Sequence, residues 1–154
     1  MRQILLLFVT AMVVGSCSLT NPSHSNGLSI QVSDATFGTQ NRFTATVKFT
    51  NDLGRDVKIL NLGCKSTDSS WNPSFLMEKF VDARWDTFGA PLCVDLAVAT
   101  TKLADGESFT TVASMLSDTS TTGTYRLVFD IREQDLTQQL PAQYLLSNSF
   151  SIAK

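Results

Sequence analysis

The chain is poor in histidine, and its single copy, His24, lies in a polar stretch near the N-terminus. A Ser-His-Asp or Cys-His site needs an imidazole that reaches the nucleophile, so the sequence argues against histidine-based catalysis. The glycine-rich phosphate loops G-x-x-x-x-G-K-[ST] and G-x-G-x-x-G and the hydrolase elbow G-x-S-x-G are also missing. The sequence therefore predicts a protein that is not an enzyme and holds no cofactor.

An excess of basic residues is missing as well. The 154 residues contain 12 Lys and Arg against 14 Asp and Glu, a formal net charge of −2. Binding to a phosphate backbone requires a basic face or stripe. Nucleic acid is therefore not an expected partner.

Long hydrophobic runs are scarce, and the one that is present, Ile4 to Val14, is interrupted only by Thr10. As a helix it would reach only about 17 Å, well short of the roughly 30 Å hydrocarbon core of a bilayer. Arg2 supplies the positive charge that precedes such runs in secretory leaders. The sequence therefore predicts a signal peptide over residues 1–16 that is cleaved from the mature protein.

The boundary of this leader, Val14-Gly15-Ser16-Cys17, resembles the lipobox of bacterial lipoproteins. The resemblance implies cleavage before Cys17, acylation of its thiol, and anchoring of the mature chain to a membrane, since two or more acyl chains hold a protein stably. Ser18 in the next position, in place of aspartate, resembles lipoproteins sent to the outer membrane. The alternatives are an ordinary secretory cleavage site, or a buried N-terminal strand with a core cysteine.

Two further cysteines, Cys64 and Cys93, form an even pair in a chain expected to be exported to an oxidising compartment. We expect them to form a disulfide. A reactive thiol pair or half of a metal site are the alternatives, and the absence of a C-x-x-C motif and of histidine beyond residue 24 argues against both.

Residues 17–27 are polar with Pro and Gly and predict a flexible tether after Cys17, and the single domain occupies residues 28–154. Strict alternation of apolar and polar residues begins at Leu28 and recurs from Phe43 to Thr50 and from Tyr125 to Arg132, which is typical of half-buried strands. We expect an all-β antiparallel sandwich of about seven or eight strands. Residues 75–81 are predicted to be a strand, with a helix opening at Asn72-Pro73 as the alternative.

Short motifs resemble immunoglobulin-like domains. Gly123-Thr-Tyr125 resembles the opening of a penultimate strand in which the tyrosine forms a corner, and Ser147-Asn-Ser-Phe150 resembles the closing strand of bacterial Ig-like envelope proteins. Together with Phe43–Asn51 and the turn Ala104–Glu107, the first motif is also similar to the layout of the intracellular proteinase-inhibitor family. These resemblances imply that the predicted all-β sandwich is immunoglobulin-like. Cys64 and Cys93 depart from the Ig inter-sheet pair, because no cysteine lies near Tyr125.

Apolar and aromatic residues outside the regular strands are the candidate binding residues. Trp71 and Trp85 offer aromatic platforms for a sugar or a partner protein. The connection over residues 133–147 has too many apolar residues for a solvated loop, so it either covers an open end of the sandwich or binds a partner. The candidate surface consists of Trp71, Trp85, Leu136, Leu140 and Tyr144.

Carboxylates are the remaining candidates for chemistry. Asp130, Glu133 and Asp135 lie close together after a strand, as a glycosidase pair would require, but solvated strand ends are the commoner meaning of such a cluster. Asp residues elsewhere lack the spacing of a Ca²⁺ loop, and no metal site is expected.

The leading hypothesis is a non-enzymatic, lipid-anchored protein of the bacterial cell envelope, on the outer membrane, whose Ig-like domain binds an envelope protein or serves an envelope assembly. A carbohydrate-binding module and a proteinase-inhibitor-like protein are the alternatives. The sequence carries no signal for an oligomeric state.

Overall fold

The computed structural model describes residues 27–65, 71–91, 99–117, 119 and 121–153. Cys17, the leader and the tether up to residue 26 lie outside the described residues, as do Cys93 and the side chain of Cys64, so the predictions of acylation and of a disulfide stay predictions. Among the described residues no helix is long and apolar enough to cross a membrane.

The described residues form an all-β fold, as predicted. The strands are β1 (Leu28–Phe37), β2 (Arg42–Asn51), β3 (Val57–Lys65), β4 (Trp71–Pro73), β5 (Phe75–Val81), β6 (Arg84–Gly89), β7 (Ala99–Leu103), β8 (Ser108–Leu116), β9 (Gly123–Phe129), β10 (Ile131–Glu133) and β11 (Phe150–Ile152). Two 3-10 turns, Thr39–Asn41 and Ala142–Tyr144, complete the described elements. The count exceeds the predicted seven or eight because β4, β10 and β11 have only three residues each.

All strand pairs among the described residues are antiparallel, and these strands form three sheets. Sheet A has the order β1-β2-β8, sheet C has the order β11-β9-β5-β6, and sheet B has the order β10-β3-β4 with β7 also paired to β3. Backbone hydrogen bonds of 2.7 to 3.2 Å between Leu60, Ser74 and Asp130 join sheet B to sheet C. The result is an antiparallel β-sandwich, as the alternation of the sequence predicts, with the immunoglobulin-like form that the sequence motifs imply.

The core lies between sheets A and C. The ring centroids of Phe49 on β2 and Phe129 on β9 are 5.0 Å apart, and those of Phe43 and Phe75 are 6.4 Å apart. All four side chains are buried, and each comes from the apolar half of an alternating strand. Burial of apolar area at about 25 cal/mol per Å² is what holds the two sheets together.

The ambiguous segment over residues 75–81 is a strand, which confirms the preferred prediction over the helix. It pairs with β6 through the two-residue turn Asp82-Ala83, so that Val81 faces Arg84 and Phe80 faces Trp85. Both turn residues have positive φ, 48° and 63°, the backbone of a type I′ turn.

A side-chain amide binds the backbone of one residue on each edge strand of sheet A, and we call these two contacts the amide clasps. On β8, the Ser114 N–H donates to Asn72 Oδ1 (3.0 Å) and Asn72 Nδ2 donates to the Ser114 carbonyl (2.6 Å). On β1, the Val32 N–H donates to Asn148 Oδ1 (2.6 Å) and Asn148 Nδ2 donates to the Val32 carbonyl (3.2 Å). Each amide therefore replaces one residue of a neighbouring strand and satisfies edge groups of the kind that template aggregation.

Tyr125 makes the corner that the Gly123-Thr-Tyr125 motif predicts. Its ring is buried, and its hydroxyl donates to the carbonyl of Thr121 at 2.8 Å. A tyrosine hydroxyl that bonds back to the chain a few residues upstream is the tyrosine corner of immunoglobulin-like sandwiches. Lys79 Nζ lies 5.6 Å from the Tyr125 ring centroid and donates to Thr121 Oγ1 at 2.9 Å.

Candidate binding surface on the outer face of sheet C

The outer face of sheet C carries a group of side chains that we call the outer cluster, defined as Leu76, Glu78, Phe80, Trp85 and Arg126. Phe75 and Met77 point into the core, so the alternation of β5 turns Leu76, Glu78 and Phe80 to the other side of the sheet. Arg126 lies between the buried residues Tyr125 and Leu127 on β9 and pairs with Glu78 in register.

The contacts within the outer cluster are close. Arg126 Nε donates to Glu78 Oε2 at 2.6 Å, and the Arg126 guanidinium carbon lies 4.4 Å from the centroid of the Trp85 ring. The Phe80 and Trp85 rings are tilted against each other with centroids 5.1 Å apart. The Glu78 and Arg126 side chains are only 20% and 23% exposed, so water screens this ion pair less than it screens a fully exposed pair.

These contacts give an ordered apolar surface without net charge. The Glu78 carboxylate neutralises the Arg126 guanidinium, and the guanidinium holds the Trp85 indole in place by a cation-π contact on one face of the ring. Leu76 beside it is 46% exposed, one of the most exposed large apolar residues described. Tryptophan and arginine anchors held in place before binding are typical of protein-binding surfaces, because little side-chain entropy remains to be lost.

The residues predicted from the sequence to form one binding surface do not lie together in the structure. Trp85 belongs to the outer cluster, whereas Leu140 is only 3% exposed and packs in the core, so it is not an accessible surface residue. Tyr144 is partly buried against the core. Its ring packs so close to Gly27 that a Cβ atom at that position would lie 2.9 Å from Cε1 of the ring. Leu136 lies in the turn after β10, with its carbonyl accepting from Arg132.

The side chain of Trp71 lies outside the described residues, although its backbone is part of β4. Within the connection over residues 133–147, the burial of Leu140 and Leu145 corresponds to the interpretation of this segment as a cover for the sandwich. The segment is tied down by backbone bonds, since the Leu140 N–H donates to Ile131 and the Phe129 N–H donates to Leu145.

Phe80 and Arg126 were not among the binding residues predicted from the sequence. A signal for Phe80 was present, because a two-residue turn at Asp82-Ala83 places Phe80 directly opposite Trp85. No such signal exists for Arg126, whose neighbours Glu78 and Trp85 depend on the pairing of β9 with β5, 48 residues earlier in the chain.

The carboxylate cluster after β9 is held by partners. Both Asp130 oxygens accept from Arg132 at 3.1 Å, and Glu133 pairs with Arg55 at 2.8 Å. Hydrogen bonds from the backbone N–H and the hydroxyl of Thr137 lower the pKa of Asp135. The ion pairs of Asp130 and Glu133 with neighbouring arginines support a solvated strand end over a catalytic pair.

No group of three or more His, Cys, Asp or Glu side chains that could hold a metal ion occurs in the part of the chain that the structure describes.

Comparisons with known proteins give no family. No protein-family model matches the chain, and no curated protein shows significant sequence similarity to it. Among solved structures, a protein described as ApaA from Bordetella pertussis is 14% identical with a TM-score of 0.41, over 83% of this chain and 95% of that one. The CARDB domain of a Pyrococcus furiosus protein, solved with di-metal ions, is 13% identical with a TM-score of 0.36, over 82% and 87%. Likenesses this distant carry no argument about function.

Proposed function

We propose that the chain is a non-enzymatic lipoprotein of the bacterial cell envelope, anchored to the outer membrane through Cys17 and binding a partner protein through its immunoglobulin-like domain. The lipobox-like boundary at Val14 to Cys17 supports the anchor. The outer cluster on sheet C supports the binding role, and it is the single observation that carries it.

The outer cluster supports a protein partner more than a sugar. A sugar ring stacks on a free aromatic face, and the Arg126 guanidinium already covers one face of Trp85. A protein surface gains from the same guanidinium, because its remaining N–H groups bind backbone or side-chain oxygens while Leu76 and Phe80 bury apolar area. The proteinase-inhibitor alternative rests on the resemblance of the fold alone. The loops that could act as its inhibitory loop, residues 65–72 and 117–123, lie partly outside the described residues.

The anchor is tested by the intact mass of the protein extracted from membranes. We expect cleavage before Cys17 with added acyl chains, and an unacylated, soluble product from Cys17→Ala. A wild-type protein released without acyl groups would contradict the anchor.

The binding role is tested by site-specific photo-crosslinking in the cells from which the membranes are prepared. A photo-reactive residue in place of the outward-facing Leu76 should give a discrete crosslinked product that Trp85→Ala weakens about ten-fold, a typical loss for an aromatic anchor. The matched control carries the same group in place of Thr110, which is exposed on the outer face of sheet A. Equal crosslinking from both positions, or a product that Trp85→Ala leaves unchanged, would remove the binding role from the outer cluster.

A further inference from the structure

Among the described residues β6 lies at one end of sheet C and pairs with β5 alone, through one side of its backbone. The described residues place no strand on the other side. Its sequence, Arg84-Trp-Asp-Thr-Phe-Gly89, is short and carries one charge of each sign, two residues apart. These charges favour a partner strand that places an opposite charge across from each of them, and they disfavour one that places a like charge there.

The type I′ turn determines which backbone groups face this edge. In such a hairpin the residues that flank the turn, Val81 and Arg84, exchange both of their backbone hydrogen bonds, and hydrogen-bonded and non-hydrogen-bonded pairs then alternate. The next pair, Phe80 and Trp85, is therefore non-hydrogen-bonded. The N–H and C=O of Trp85 consequently point away from β5 and toward the open edge.

A second copy of the same strand satisfies these groups. If two β6 strands pair antiparallel about a two-fold axis at Trp85, each Trp85 exchanges both backbone hydrogen bonds with its counterpart. The same register places Arg84 opposite Asp86 of the second copy, twice over by symmetry. Those residues form a non-hydrogen-bonded pair, in which side chains lie closest. The register that centres on Asp86 instead brings two like charges together.

The exposure of the side chains fits this pairing. Arg84 and Asp86 are 73% and 43% exposed and contact each other within the strand at 3.0 Å, so both can turn to a partner strand at little loss. On the outer face, the two Trp85 rings become neighbours and join the two outer clusters into one apolar strip.

We propose that β6 is a self-association edge, through which two copies of this chain join their C sheets into one continuous antiparallel sheet. The inference deepens the proposed function and rests on it, since it names a second copy as a protein partner that binds beside the outer cluster, at the strand that carries Trp85. Backbone pairing and apolar contact provide the attraction, and the Arg84–Asp86 pairs fix the register and exclude strands of other sequence.

The test is a charge-reversal cycle on the full-length chain in a non-ionic detergent, followed by sedimentation velocity over a range of concentrations. Wild type should form a reversible dimer. Arg84→Asp and Asp86→Arg should each weaken it about ten-fold or more, because each puts two like-charged pairs into the symmetric interface. An equimolar mixture of the two variants should restore the dimer as a heterodimer.

The mixture shows whether the charges act between chains or within one strand. Each variant still lacks the Arg84–Asp86 contact within its own strand when mixed, so a restored dimer can come only from pairs between the two chains. Lys48→Asp on the outer face of sheet A is the control and should leave the dimer unchanged. A chain that stays monomeric up to roughly 1 mM, or a dimer that ignores both reversals, would overturn the inference. A monomeric chain whose Leu76 position still crosslinks to a different protein would overturn the self-association alone and leave the proposed function standing.

Discussion

The ion pair between Asp56 and Lys102 connects the start of β3 to β7 with an N–O distance of 2.7 Å. The hydrogen bond from Lys102, followed by one from the Asp105 backbone N–H, lowers the pKa of Asp56 below its ordinary value. A carboxylate whose pKa is depressed by folding stabilises the native state above its unfolded pKa of about 3.9, and that stability is lost as the pH falls through the folded pKa.

We therefore expect Asp56→Asn to lower the urea midpoint at pH 7 and to have progressively less effect as the pH falls below about 4. The measurement is urea unfolding of both proteins from pH 7 to pH 2. Asp52→Asn, at an exposed position in the neighbouring turn, serves as the control and should shift the midpoint little at either pH. A difference between wild type and Asp56→Asn that persists unchanged at pH 2 would contradict the assignment.

Single residues were predictable from the sequence where their partners are local. The Tyr125 corner involves Thr121, four residues away, and its motif was recognisable. The contact of Arg126 with Trp85 joins distant strands, and the amides of Asn72 and Asn148 bind strands that only the tertiary fold brings to them. Contacts between polar side chains and such remote partners produce no periodic pattern in the sequence, so they could not be predicted from it.

At the scale of elements, the β5–β6 hairpin carries strain in its turn. Ala83 has a φ of 63°, a region that suits glycine because it has no Cβ. We expect Ala83→Gly to raise the free energy of unfolding by about 1 kcal/mol, measured by urea denaturation, because relief of this strain outweighs the added freedom of the unfolded chain.

Ala142→Gly is the matched control for the hairpin. Ala142 is also exposed, but it lies in a 3-10 turn and has no positive φ. Glycine there only adds unfolded-state entropy, so stability should fall by about 0.5 to 1 kcal/mol. If both substitutions destabilise the protein equally, the Asp82-Ala83 turn is not strained as described.

Elements with several alternating residues were predictable from the sequence. The period-two patterns predicted β1, β2 and β9, the alternation after Tyr125 continued into β10, and the motif ending at Phe150 predicted the closing strand β11. The break between β9 and β10 and the three-residue strand β4 were not predicted, because segments this short show no period of their own. The division of strands among three sheets depends on pairing over long sequence distances, which a local pattern does not encode.

At the scale of the whole molecule, the predicted disulfide between Cys64 and Cys93 bears on stability. On the chain-entropy model, closing a loop of this length stabilises a protein by about 3.5 kcal/mol. We expect reduction to lower the free energy of unfolding by that order, as measured by urea denaturation with and without a thiol reductant.

The oxidised protein should also be about 2 Da lighter than the reduced one, because two thiol hydrogens are lost. A variant with Cys64→Ser and Cys93→Ser should unfold like the reduced wild type and should not respond to reductant. An oxidised wild type with two free thiols would contradict the predicted bridge.

The two amide clasps of sheet A form at different stages of folding, because their amides lie far apart in the chain. Asn72 precedes β8 in the chain, so the amide that binds Ser114 is already present when β8 is made. Asn148 follows Val32 by 116 residues, so the β1 edge lacks its amide until residue 148 has joined the fold. Until then the N–H and C=O of Val32 stay open to pairing with another strand, and the contact with Asn148 removes them from such pairing.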